Sequence, residues 1–130
     1  MKSKYGRIAI DAVKVIQENP IIHPLDAWYI ASEMYFQPGS WGWKKSCPKD
    51  TFLGICEEGY LKGVSPGKYT NSKANKTYGI KALILLKANP SLINSKNKLW
   101  SKVVGKNYIT HNNQLDVVIA LLEEKLICFS

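Results

Sequence analysis

Apolar residues recur at three- and four-residue steps along most of the chain, and that spacing predicts helices. From about Lys4 to Glu18, Tyr5, Ile8, Ala9, Ala12, Val13 and Ile16 fall on one face, and Asn19-Pro20 ends the run. A second helix starts at His23-Pro24 and carries Leu25, Trp28, Ala31 or Ser32, and Tyr35 until Gln37-Pro38-Gly39 breaks it. A third spans about Pro48 to Glu58, capped by Ser46 or Cys47 and stopped by Gly59. A fourth runs from about Ser72 to Ala88. A fifth, capped by Ser91, carries Leu92, Leu99, Trp100 and Val103 to Gly105. A sixth runs from Asn113 to about Lys125. The last residues, from Leu126, read as a short packed tail or edge strand. The fold expected is all-α, about six helices in a single domain over residues 1–130.

The order of elements repeats. Ala12 to Ile16 before Asn19-Pro20 parallels Ala82 to Leu86 before Asn89-Pro90, and Trp28 and Trp100 lie on the helix that follows each. Glu57 to Leu61 parallels Glu123 to Ile127. The pattern allows two related three-helix units, residues 1–66 and 67–130, packed as one core, since neither is large enough for comfortable stability alone.

Such a unit can be a helix-turn-helix, whose last helix enters a DNA groove. Charge speaks against it. Asp50, Glu57 and Glu58 mark the first candidate helix, and Asp116, Glu123 and Glu124 the second. Base readout leans on Arg, Asn and Gln, and Arg7 is the one arginine.

The net charge of +8 is uneven: residues 1–66 carry +1 and residues 67–130 carry +7. No acidic residue stands between Glu58 and Asp116. That stretch favours an anionic partner met through phosphate contacts and shape. Lys62, Lys68, Lys73, Lys76, Lys98, Lys102 and Lys106 are the candidate contacts. The competing reading is a solvated lysine face produced by AT-rich codon usage.

Three cysteines, Cys47, Cys56 and Cys128, do not form a disulfide framework. No stretch reaches the roughly 18 apolar residues of a membrane span. The first residues read as a helix of the fold, not as a signal peptide. The expected location is cytoplasmic, with no membrane partner.

Chemistry-bearing signals are sparse. Cys47 stands at a helix start beside Lys44, Lys45 and Lys49, where dipole and cations favour a thiolate, so it is the one candidate nucleophile. Its bland reading is a capping residue, and a thiol enzyme also needs His23 or His111 nearby. Cys47 and Cys56 lack the close pairing of a zinc set, and no phosphate-cradling glycine motif is present, so no metal or cofactor is expected. Trp41 and Trp43 sit in a loop, as indoles pinning it to the core or as an exposed stacking or protein-partner surface.

Tyr5-Gly6 with Ala9, Pro24 to Trp28, Cys47 to Gly54, Cys56 to Gly59 and Asp116 to Leu121 together resemble a family of small uncharacterised bacterial proteins. The segment Cys47–Gly59, CPKDTFLGICEEG, is the most specific part. The resemblance implies a bacterial, stand-alone, single-domain protein and assigns no catalytic or binding residue. The function expected from the residues is non-enzymatic binding of nucleic acid or another polyanion. A protein-interaction module using Trp41 and Trp43 is the first alternative, and a thiol enzyme using Cys47 the second.

Overall fold

A computed structural model describes residues 3–106 and 108–129. Helix α1 is Lys4–Glu18, with Ser3 Oγ accepting from the Gly6 N–H at 3.1 Å. Helix α2 is Pro24–Ser32, and its cap is an imidazole: His23 Nδ1 accepts from the Leu25 N–H at 3.0 Å. It ends earlier than its apolar spacing predicts. Buried Ser32 donates its hydroxyl to the Trp28 carbonyl, and the chain then turns so that the Tyr35 hydroxyl reaches Asp11 Oδ2 at 2.9 Å.

A single turn, α3 (Trp41–Lys44), follows under a Ser40 cap. Helix α4 is Ser46–Glu57. Its cap position is Lys45, without a side-chain bond, so neither Ser46 nor Cys47 serves as expected. Helix α5 is Lys73–Ala88, capped by Ser72. The fifth expected helix is divided into a 3₁₀ turn at Pro90–Asn94 and α6 at Lys96–Val104. Ser91 caps neither; its hydroxyl donates to Asn89 Oδ1. Helix α7 is Gln114–Glu123. The tail packs as expected: Leu61 and Ile127 form an antiparallel bridge, flanked by Lys62 N–H to Leu126 O at 2.9 Å and Cys128 N–H to Tyr60 O at 2.7 Å.

One continuous core takes side chains from both halves. Trp28, Phe52, Ile55, Leu83, Leu99, Leu115 and Leu121 are all buried in it. The long helices pair across the halves: α1 packs on α7, α5 on α4, and α4 beside α7. Two crossings depend on missing bulk. A Cβ on Gly6 would lie 2.9 Å from Ala120 Cβ, and one on Gly54 would lie 2.6 Å from Lys76 Cα.

The matching elements share backbone detail. Asn19 (φ −139°, ψ 81°) and Asn89 (φ −140°, ψ 83°) end α1 and α5 in the same conformation. Gly59 and Lys125 both take positive φ, 74° and 60°, just after α4 and α7. The bridge then joins the two residues at the same further step, Leu61 and Ile127.

Glu57 fixes the connection between the halves. Its Oε2 accepts the N–H groups of Tyr69 and Thr70 at 2.6 and 2.7 Å, while Oε1 meets Lys76 Nζ at 3.0 Å. Burial raises the Glu57 carboxyl, but these three partners outweigh it and hold the group below the ordinary carboxylate range.

Candidate nucleic-acid interface

The acid-free stretch folds into α5, the 3₁₀ turn, α6 and the loops around them. Of the seven expected phosphate contacts, Lys62, Lys68, Lys73, Lys98, Lys102 and Lys106 are exposed. Lys98 and Lys102 are one turn apart on the outer side of α6, and Lys106 follows just past its end. Lys68 and Lys73 line a cleft of about 280 Å³ with Lys76 and Glu57. Lys62 stands apart from these groups, on the segment bridged to the tail.

Lys76 is placed differently from the other six. Its ammonium lies 3.0 Å from Glu57 Oε1 and 2.9 Å from Glu58 Oε1. The hydrogen bonds it donates to Glu58 and Glu57 raise its pKa. It is a brace between α5 and the end of α4, with its charge already answered.

The two tryptophans expected in a loop lie instead on the single turn α3, and they also part. Trp41 is 92% exposed. Trp43 is half-buried, its ring stacked on Tyr29 at a centroid distance of 4.4 Å. Its indole N–H finds no acceptor among the described residues. The pinned reading therefore fits Trp43, and the exposed reading fits Trp41.

Helices α4 and α7 run side by side with their N-terminal ends together. Lys45 Nζ donates to Asn113 Oδ1 at that end, and the Leu61–Ile127 bridge joins the chain beyond their other ends. A polar cluster surrounds the Lys45–Asn113 contact. Asn113 Nδ2 donates to Asp116 Oδ2 at 2.6 Å, and Lys96 reaches the other oxygen of the same carboxylate. Burial raises Asp116, but the hydrogen bonds from Lys96 and Asn113 and the nearby positive charge prevail and lower its pKa. Lys45 also lies 5.5 Å from the Tyr5 ring centroid. Tyr5, Trp41, Gly42, Lys44, Lys45 and Ser46 line a cleft of about 490 Å³.

His111 completes this end. Its Nε2 accepts from the Leu115 N–H at 3.1 Å, in the first turn of α7, and its ring meets Trp100 edge-on at 5.0 Å. Burial lowers its pKa, Lys96 and Lys45 push the same way, and Asp116 opposes them. A neutral imidazole is what the cap requires. With the folded value depressed below an unfolded value near ~6.5, this stability is present above about pH 6.5 and lost as pH falls through the folded value. Melting should therefore show an acid-dependent step worth about 1 kcal/mol, the usual value of a helix cap, that His111→Asn removes. An unchanged pH profile in the variant would show that His111 does not carry the step.

Cys47 is half-buried in the first turn of α4. The two histidines are otherwise engaged: His23 and His111 each accept, through one ring nitrogen, from a helix N-terminus. Lys49, expected beside it, donates instead to the Tyr29 hydroxyl at 3.0 Å. Cys56 is fully buried, which pushes its thiol well up. Among the described residues no group of three or more His, Cys, Asp or Glu is arranged to hold a metal ion. No helix formed by them is long and apolar enough to cross a membrane.

At this end the sequence singles out Trp41, Trp43 and Cys47 with Lys44, Lys45 and Lys49. It gives no interface role to Tyr5, Lys96, Tyr108, Asn113 or Asp116. The available signal was the run Lys106 to Asn113, where Tyr108 and His111 stand among basic and amide side chains.

No curated protein and no solved structure matches the chain. A family match covers residues 2–128, nearly the whole length, in keeping with a resemblance to a family of uncharacterised proteins. The chain belongs to the family of unknown function DUF6979.

Proposed function

We propose that this is a non-enzymatic basic binding protein that takes nucleic acid or another polyanion through its lysine-rich surface, in the cytoplasm of a bacterium. One observation carries the reading. Residues 59–115 contain no acid, and among the described residues only Lys76 and Lys96 of that stretch are ion-paired, both to acids outside it. The remaining lysines keep their charge available to phosphate.

Fluorescence anisotropy with labelled DNA and RNA at two salt concentrations tests this. Four phosphate contacts predict a loss of about a hundredfold between about 50 and 200 mM salt. Replacing Lys98, Lys102 and Lys106 by alanine should weaken binding across all sequences and flatten the salt slope by about 3. Affinity that stays flat over this range would sink the reading.

A protein-interaction module is the second reading, favoured by the exposure of Trp41. The thiol-enzyme reading receives no support from the surroundings of Cys47.

A further inference from the structure

The two halves each place one exposed aromatic at the same point of their chain path. Trp41 lies in the segment joining α2 to α4, and Tyr108 in the segment joining α6 to α7. They are 92% and 66% exposed, although a neighbour of each is engaged by the fold. Trp43 stacks on Tyr29, and the Trp100 indole donates to the Ile109 carbonyl at 2.8 Å. The neighbouring residues are held, and these two rings are exposed beside them.

Because α4 and α7 lie side by side with their N-terminal ends together, the two segments converge there. The contacts form two sets at this end. Trp41 shares its cleft with Tyr5 and Lys45, and Lys45 bonds to Asn113. Asn113 bonds to Asp116, which takes Lys96. His111 packs on Trp100, whose indole holds the backbone beside Tyr108. The charge at this end favours an anion. Lys44, Lys45 and Lys96 stand against Asp116, and Lys106 follows α6 into the second segment. Aromatic faces spaced among cations are what an unpaired strand requires. Bases stack on rings without sequence preference, while the backbone follows the positive charge. A duplex hides those base faces.

We propose that this end of the molecule is a single-stranded nucleic-acid platform, with Trp41 and Tyr108 stacking unpaired bases and Lys44 and Lys45 meeting the backbone between them. The proposal rests on the polyanion reading above and names the form of nucleic acid preferred.

The test is anisotropy at low salt with labelled oligothymidine, oligouridine and a mixed-sequence duplex. Wild type is compared with Trp41→Ala, Tyr108→Ala, Trp41→Phe and the double variant Lys98→Ala/Lys102→Ala. Both aromatic positions are exposed, so circular dichroism should show intact folds. Each alanine should weaken single-strand binding by about five- to tenfold and leave the duplex within about twofold. Trp41→Phe should recover most of the loss, and the lysine pair should weaken both ligands alike. Equal losses on single strand and duplex, or none on either, would overturn the platform while the lysine-based reading stands. Absence of wild-type binding to every probe at low salt would overturn both.

Discussion

Gly54→Val should unfold the protein or bring it close to that, and Gly54→Ala should be clearly less stable than wild type. The sign is not set by propensity alone. Alanine is better than glycine in a helix interior by about 1 kcal/mol, so an isolated helix would gain. Here α4 crosses α5 with Gly54 against the backbone of Lys76, and the added Cβ would stand 2.6 Å from that Cα. The obstructing atom belongs to a 16-residue helix and cannot rotate away. Separating the helices would disturb the buried packing of Phe52 and Ile55 with Leu83, and would draw Lys76 from Glu57. Overpacking of this kind costs about 1–3 kcal/mol for small insertions and more for branched ones, against a typical total of about 5–15 kcal/mol. Urea denaturation followed by circular dichroism measures it. A midpoint for Gly54→Ala at or above wild type would mean that the crossing is looser than described.

Separate peptides 1–66 and 67–130 should each be largely unfolded and should regain helical signal when mixed. Each half contains three of the long helices, enough in number for a small bundle. Within a half α1 packs on α2 and α5 on α6 and α7, but much of the remaining packing crosses to the other half: α1 on α7 and α4 on α5. Apart, each peptide exposes faces that include Ile8, Val13 and Ile55 or Leu83, Leu115 and Leu121, all buried in the whole chain. At roughly 65 residues there is little other core to compensate. The measurement is far-ultraviolet circular dichroism of each peptide and of the equimolar mixture, with a thermal melt. Cooperative melting of peptide 1–66 alone would contradict the expectation.

Much of the fold was legible because its signals are local. Apolar spacing gave α1 to the residue, and Asn-Pro pairs placed the ends of α1 and α5. Errors came where a non-local contact overrode a local preference. The apolar pattern of α2 continues to Tyr35, but the bond between Tyr35 and Asp11 on α1 belongs to a turned chain, not to a continuing helix. Ser91 looks like a cap, yet Pro90–Asn94 closes as a 3₁₀ turn before α6 begins. Seven lysines of the acid-free stretch read from the sequence as phosphate contacts. Six are exposed, while Lys76 is met by Glu57 and Glu58 from a different helix. The cluster around Lys45 and Asn113 joins residues 68 positions apart, a separation at which periodicity is silent. The exposure of Trp41 beside the packing of Trp43 is likewise decided by Tyr29, on another element.

The pairing of each half with the other has a consequence for assembly. Two copies of the chain could exchange halves and make the same contacts, including the Leu61–Ile127 bridge, so the interfaces themselves do not specify a monomer. What specifies it is the reach of the segment between α4 and α5, which sets the effective concentration of one half around the other. Glu57 folds that segment back by holding Tyr69 and Thr70, and Lys76 ties the start of α5 to the same carboxylate. One side chain at the end of α4 thus holds the hinge folded back on its own chain.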